Sequence, residues 1–145
     1  MKRLPFAAIL LLFTCITGLA QPDPWKISSG KIDANNYYGI TVANGMIGIV
    51  SSPEPFKVKD VVLAGAYDLY GRGRVSNFLK SFNLLNMRLD IDGRGIGPSD
   101  ALNLQQELDM KKAAFTTSFD YGDKARISYT YYSLRHLPYT VLMDI

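Results

Sequence analysis

Residues 37–68 read YYGITVANGMIGIVSSPEPFKVKDVVLAGAYD, and their pattern decides the fold class. Two extended runs, 39–43 and 46–51, face each other across Asn44-Gly45. An Asn-Gly pair between apolar alternations is the strongest short-range hairpin signal, because a type I′ turn needs positive φ at both central residues. Ser52-Pro53-Glu54-Pro55 then breaks the pattern. A third run, 57–67, resumes it and ends in Gly65-Ala66-Tyr67-Asp68. The period is two throughout, so this stretch is predicted to be sheet.

The same period governs the chain downstream. Residues 69–81, with Gly71-Arg72-Gly73-Arg74, are predicted as a loop. In 83–92, Leu85, Met87, Leu89 and Ile91 fall on one face, with Arg88, Asp90 and Asp92 on the other. A Gly/Pro turn region covers 93–100. Leu102, Leu104, Gln106, Leu108 and Met110 alternate with Asn103, Gln105, Glu107 and Asp109. Phe115, Thr117, Phe119 and Tyr121 repeat the pattern, and Gly122-Asp123 turns the chain. Ile127, Tyr129 and Tyr131 then oppose Ser128, Thr130 and Tyr132, and Pro138 precedes a last run, 139–145. A helical period is absent outside the first twenty residues. The expectation is an all-β chain, an antiparallel β-sandwich. Val141-Leu142-Met143-Asp144-Ile145 reads as an apolar strand in progress. Native sheets usually cover such an edge, so the sandwich is expected to be incomplete. A natural edge strand is the alternative.

Upstream, residues 1–20 read as a helical secretory signal. Met1-Lys2-Arg3 is the positive region, Pro5 to Phe13 the apolar one, and Gly18-Leu19-Ala20 a small-x-small cleavage site that leaves Gln21 first. The apolar run falls short of the roughly 20 residues a membrane span needs. Lipidation at Cys15 is the weaker alternative, since Phe13 and Thr14 are bulky where small residues are wanted. Export to the periplasm or medium is therefore expected. Residues 21–36 are a lead-in arm, broken by Pro22, Pro24 and Ser28-Ser29-Gly30 and pinned by Trp25 and Ile27. The domain proper is 37–145.

Composition narrows the class further. Of 145 residues, 48% are apolar and 20% charged, ordinary for one folded domain. The net charge of +3 includes Lys2 and Arg3; without them 14 basic residues face 13 acidic ones, too even for a nucleic-acid partner. Cys15 is the single cysteine, so the mature chain has neither disulfides nor thiolate metal ligands.

Few residues offer chemistry. Asp90 and Asp92 point to one face about 7 Å apart, a carboxylate spacing used in glycoside hydrolysis. However, Asp92-Gly93 is a turn and Arg88 neighbours Asp90, so a solvated face is the better reading. The run 90–93 lacks the glycine and glutamate positions of a calcium loop. Gly93, Gly95 and Gly97 do not fit a dinucleotide fingerprint. Arg72, Arg74 and Lys80 read as a solvated basic loop. His136, the lone histidine, has no partner for zinc and no Gly-x-Ser-x-Gly elbow to serve, so it is taken as a strand-end residue. Tyr37, Tyr38, Tyr67, Tyr70, Tyr129, Tyr131, Tyr132 and Trp25 could stack on sugar rings, but strand aromatics are more often core.

Ordered landmarks then carry a resemblance. Ala43-Asn44-Gly45-Met46-Ile47-Gly48-Ile49 resembles a signature near the start of glycoside hydrolase family 65, the kojibiose, maltose and trehalose phosphorylases and their hydrolase relatives. Ala64-Gly65-Ala66-Tyr67-Asp68 is similar to the family's next landmark. The runs 84–93 and 107–119 and Ser133-x-Arg135-His136 come after it in order. Val50, Ala113 and Thr117 depart from residues usual in the phosphorylases. Together with the export signal, these departures direct the resemblance toward a secreted, inverting α-glucoside hydrolase acting on a disaccharide. The resemblance implies an N-terminal supersandwich that packs on an (α/α)6 barrel carrying the general acid Glu, outside this chain. No catalytic residue, metal or cofactor is therefore assigned here. Asn44, Tyr67 and Asp68 are the candidate substrate-proximal residues facing that barrel. A homodimer is compatible with the resemblance. The alternative is a non-catalytic carbohydrate-binding or structural module.

Overall fold

The computed structural model describes residues 23–69, 76–80 and 82–145, with 67–69 and 76–80 described by their backbone alone. The signal segment, Cys15, Tyr70 and Gly71-Arg72-Gly73-Arg74 lie outside the described residues. Among the described residues eleven strands occur in order: β1 (Lys26–Ser29), β2 (Thr41–Ala43), β3 (Ile47–Ser51), β4 (Val58–Leu69), β5 (Ser76–Lys80), β6 (Asp90–Ile91), β7 (Arg94–Gly95), β8 (Leu102–Asp109), β9 (Ala114–Tyr121), β10 (Ala125–Ser133) and β11 (Val141–Asp144). Two single-turn 3-10 helices, Ala34–Asn36 and Pro98–Asp100, are the only helical elements among the described residues. No described helix is long and apolar enough to cross a membrane.

All pairings are antiparallel. One sheet runs β1-β8-β9-β10-β11 and the other β2-β3-β4-β5, with β6-β7 a separate two-stranded ribbon. The large sheets share one core: Val42, Ile47, Ile49, Val58 and Val61 from the second meet Phe115, Phe119, Ile127, Tyr129 and Tyr131 from the first. This is sandwich packing, and the period-two pattern produces it. On β10, Ile127, Tyr129, Tyr131 and Ser133 are buried, whereas Arg126 and Ser128 are exposed.

Phe56 fills the middle of the core from the loop between β3 and β4. Its ring stacks on Tyr129 at 4.6 Å and meets Phe119 edge-on at 6.0 Å, geometries that aromatic quadrupoles favour. The Phe56 N–H donates to the Tyr129 hydroxyl at 2.9 Å. Burial pushes the Tyr129 and Tyr131 hydroxyls above the ordinary tyrosine range, so both stay neutral hydrogen-bonding groups.

Five local expectations are corrected. The predicted loop 69–81 contains β5, and β4 extends to Leu69 to pair with it. Glycine and arginine content there hid a hairpin partner. The predicted strand 83–92 is irregular up to Leu89. Its alternation survives as Leu85, Leu89 and Ile91 packing on the core, while Asn83 and Asn86 side chains cap the Val58 carbonyl and amide in place of a ladder. The lead-in arm contains β1, which pairs with Asp109 through Gln106 of β8. Trp25 and Ile27 stay more than half exposed, so backbone bonds, including Met110 N–H to the Trp25 carbonyl at 2.8 Å, hold the arm. In β8 a register shift between Leu102 and Gln105, with Asn103 at φ +51, turns Leu102 outward.

The fifth correction concerns the first hairpin. It is present, but its two-residue loop is Gly45-Met46. Asn44 N–H donates to the Ile47 carbonyl, and positive φ falls on Gly45 and not on Asn44. Glycine at the first central position is the type II′ pattern. The Asn44 side chain instead accepts from the Met46 and Ile47 amides, each at 2.9 Å, as an Asx residue before a turn does. The type I′ signature occurs between β6 and β7, where Asp92 (φ +53) and Gly93 (φ +75) are both left-handed.

The turn joining β8 to β9 carries one strained position. Ala113 has φ +50, a conformation that costs a residue with a Cβ about 1–2 kcal/mol. Ala113→Gly is expected to raise stability by about 0.5–1 kcal/mol, the relief of strain being partly offset by a more flexible unfolded chain. A urea titration showing no gain, or a loss, would contradict it.

Candidate functional site

The three substrate-proximal candidates sit at one end of the second sheet. β3 pairs with β4 through Ile47 and Leu63, so the Asn44 turn lies beside Ala64. β4 runs on past it by five residues to Leu69, an overhang of about 16 Å that pairs with β5 alone, through Tyr67–Phe78 and Asp68–Asn77. Gly65 (φ +84) and a register shift between Val62 and Tyr67 mark where β4 leaves the hairpin. The backbone thus carries Tyr67 and Asp68 onto the same end as Asn44.

Residues 134–140, joining β10 to β11, close over this end. The Asn44 side-chain amide donates to the Leu134 carbonyl at 2.8 Å, and the Tyr139 hydroxyl donates to the Ala64 carbonyl at 3.2 Å. Asn44 therefore uses its side-chain oxygen on the turn and its nitrogen on the connection from the other sheet. Its role here is to clamp the two sheets, a role that the Asn-Gly motif alone did not disclose. Arg135 and His136 are exposed on this connection, so His136 belongs to a loop rather than a strand end.

The opposite end holds an open cleft of about 480 Å³, lined by Asp92, Arg94, Asp100, Tyr121, Asp123 and Lys124 among others. Lys124 pairs with Asp92 and Arg94 with Asp100, both at 3.1 Å. Asp90 is held by Arg88 at 2.7 Å. The Lys124–Asp92 and Arg88–Asp90 pairs are solvated on both sides, and such pairs contribute at most about 1 kcal/mol. The Asp90 and Asp92 carboxylates thus hold separate cations, as the turn reading expects. Among the described residues no group of three or more His, Cys, Asp or Glu side chains could hold a metal.

A second cleft, of about 410 Å³, runs along the arm and is lined by Lys31, Asp33, Asn36, Tyr37, Tyr38 and Gln106 among others. Its floor is a polar relay between the sheets. Tyr37 donates to the Gln106 side-chain oxygen at 2.7 Å, so its own oxygen accepts from Ser51. Gln106 passes the chain on to the Ser52 carbonyl at 2.9 Å. Burial raises the Tyr37 hydroxyl above the usual range. The arrangement is a satisfied structural network, built to join layers and not to move protons.

No protein-family model matches the chain. It is 66% identical over 137 residues to a kojibiose hydrolase from Mucilaginibacter mallensis, taking in 94% of this chain and 20% of that protein. A kojibiose hydrolase from Flavobacterium johnsoniae is 58% identical over 127 residues, covering 88% of this chain and 19% of its own length. The chain is thus similar to kojibiose hydrolases along nearly all of its own length, while spanning about a fifth of theirs.

Proposed function

We propose that this chain is the N-terminal β-sandwich portion of an exported, inverting α-glucoside hydrolase of glycoside hydrolase family 65, with kojibiose or a related disaccharide as substrate. The observation that carries the reading is the 66% identity to a kojibiose hydrolase across 94% of the chain. The all-β architecture is what the family resemblance calls for. In this reading the general acid and the base, some 6.5–9.5 Å apart in an inverting enzyme, belong to a barrel elsewhere in the polypeptide. The sandwich supports and shapes that barrel. The Asn44 turn, the β4 overhang and loop 134–140 form the end that faces it.

The test is an assay of the longer polypeptide that contains this chain. It is expected to hydrolyse kojibiose without phosphate and to release β-glucose first from the cleaved α-linkage. The 145 residues alone are expected to show no turnover above buffer. Phosphate-dependent release of glucose 1-phosphate would move the protein to the phosphorylases, and release of α-glucose would remove the inverting mechanism. Saturable disaccharide binding by the short chain, with no hydrolysis by the long one, would favour a binding module. A mature N-terminus other than Gln21 would overturn the proposed cleavage.

A further inference from the structure

Among the described residues one flank of the sandwich is open. A groove of about 360 Å³ lies between the sheets there, lined by Ile47, Val61 and Leu63 of the second sheet, by Phe82, Leu84 and Leu85, and by Tyr139 and Val141. Every lining residue is apolar or aromatic. Phe82 and Leu84 are 88% and 86% exposed, and Tyr139 is half exposed, so large apolar side chains meet water at the mouth of the core itself. A monomer rarely leaves such a patch uncovered.

The groove adjoins the β11 edge of the first sheet. Among the described residues β11 pairs on one flank alone, with β10. Val141 and Met143 point inward onto the core, while Leu142 and Asp144 do not. A strand added beside β11 would continue the first sheet, and its alternate side chains would drop into the groove over Leu63 and Leu85. It would bond the free β11 backbone and cover Phe82 and Leu84 in one step.

The geometry points to one occupant. We infer that this groove and the free edge of β11 receive an apolar-faced β-strand from the part of the longer polypeptide that this chain lacks. The inference rests on the proposed reading of the chain as a portion of a larger hydrolase. The length of the relatives argues for that source, since about four-fifths of each lies beyond the match. The continuity of groove with sheet edge argues for a strand rather than a helix.

The experiment uses thiol accessibility in the longer polypeptide. Cys15 is the only cysteine of this chain and falls in the signal, so a Leu84→Cys reporter on the groove and an Asp123→Cys reporter at the exposed far turn can be read separately by peptide mapping. Both positions are exposed in this chain, and cysteine behaves as a small apolar side chain, so it suits position 84 whether the groove is open or covered. The expected result is modification of position 84 at least about a hundredfold slower than position 123, with equal rates in denaturant. Equal rates in the native long polypeptide would overturn the inference, as would a reading frame that stops at Ile145. So would a dimer of the 145-residue chain that protects position 84 by itself, since that makes a second copy the occupant. Kojibiose hydrolysis is scored on the same samples. Loss of that activity with position 84 still protected removes the enzymatic reading and leaves the groove assignment standing.

Discussion

Phe56→Ala is expected to lower stability by about 3–5 kcal/mol, the range for removing a buried aromatic ring together with the cavity it leaves. Phe56 is 2% exposed, and its ring stacks on Tyr129 and meets Phe119 edge-on, both on the first sheet. The two prolines Pro53 and Pro55 frame the loop that delivers it there, at φ +56, a backbone state that a phenylalanine holds only when its surroundings compensate. Alanine keeps the unfavourable φ and loses the ring, so nothing offsets the void. The Phe56 N–H to Tyr129 bond is made by the backbone of residue 56 and survives the change. Trp25→Ala is the control. Its side chain is larger but half exposed, and its effect is expected to stay within about 1 kcal/mol. The check is the urea midpoint of each variant at constant m. Equal shifts for the two would mean that Phe56 is not the keystone of the core.

That contrast shows how far the sequence alone could be read. Phe115, Phe119, Ile127, Tyr129 and Tyr131 announce themselves through strict alternation, and the structure buries all five. Period two is a property of neighbours in sequence, so it survives without knowledge of the partner strand. Phe56 had no such signal, because it enters the core from a loop whose prolines read as punctuation. β5 was hidden for a related reason. Its partner β4 is long enough to pair past the hairpin, and that is visible only in three dimensions. Among the candidates, Asn44 was singled out by its motif, yet its bonds to Met46, Ile47 and Leu134 give it a clamping role that no spacing rule contains. Ala113 is the converse case: a position singled out as a departure in the sequence lies in a turn and carries positive φ. The groove at Leu84 was legible only in part, through the apolar final run, since its other wall comes from a segment predicted as strand.

Gly39→Ala is the second large effect, expected to cost about 2–4 kcal/mol through forced separation of strands and loss of buried bonds. A Cβ at position 39 would stand 2.6 Å from Val50 Cγ1 and 2.7 Å from the Ser51 carbonyl oxygen. Neither neighbour can yield cheaply. Valine is stiff at χ1, and Ser51 is fixed by its amide to the Ile40 carbonyl at 2.9 Å and by its hydroxyl, which accepts from Ile40 N–H at 2.7 Å. The chain at 37–40 must therefore move, and Tyr37 moves with it. That breaks the relay from Ser51 through Tyr37 to Gln106, stranding polar groups on two residues that are 2% and 3% exposed. Gly48→Ala makes the comparison fair. The added Cβ there meets only the Ala43 Cβ, at an ordinary 3.6 Å, and the substitution is expected to be neutral or stabilising by up to about 1 kcal/mol. Thermal melts of the two variants decide the matter. If Gly39→Ala melts with Gly48→Ala, then the close approach of residue 39 to β3 is not what fixes residues 37–40 on the sandwich. If it melts well below, the glycine is there because a second backbone occupies the space its side chain would need.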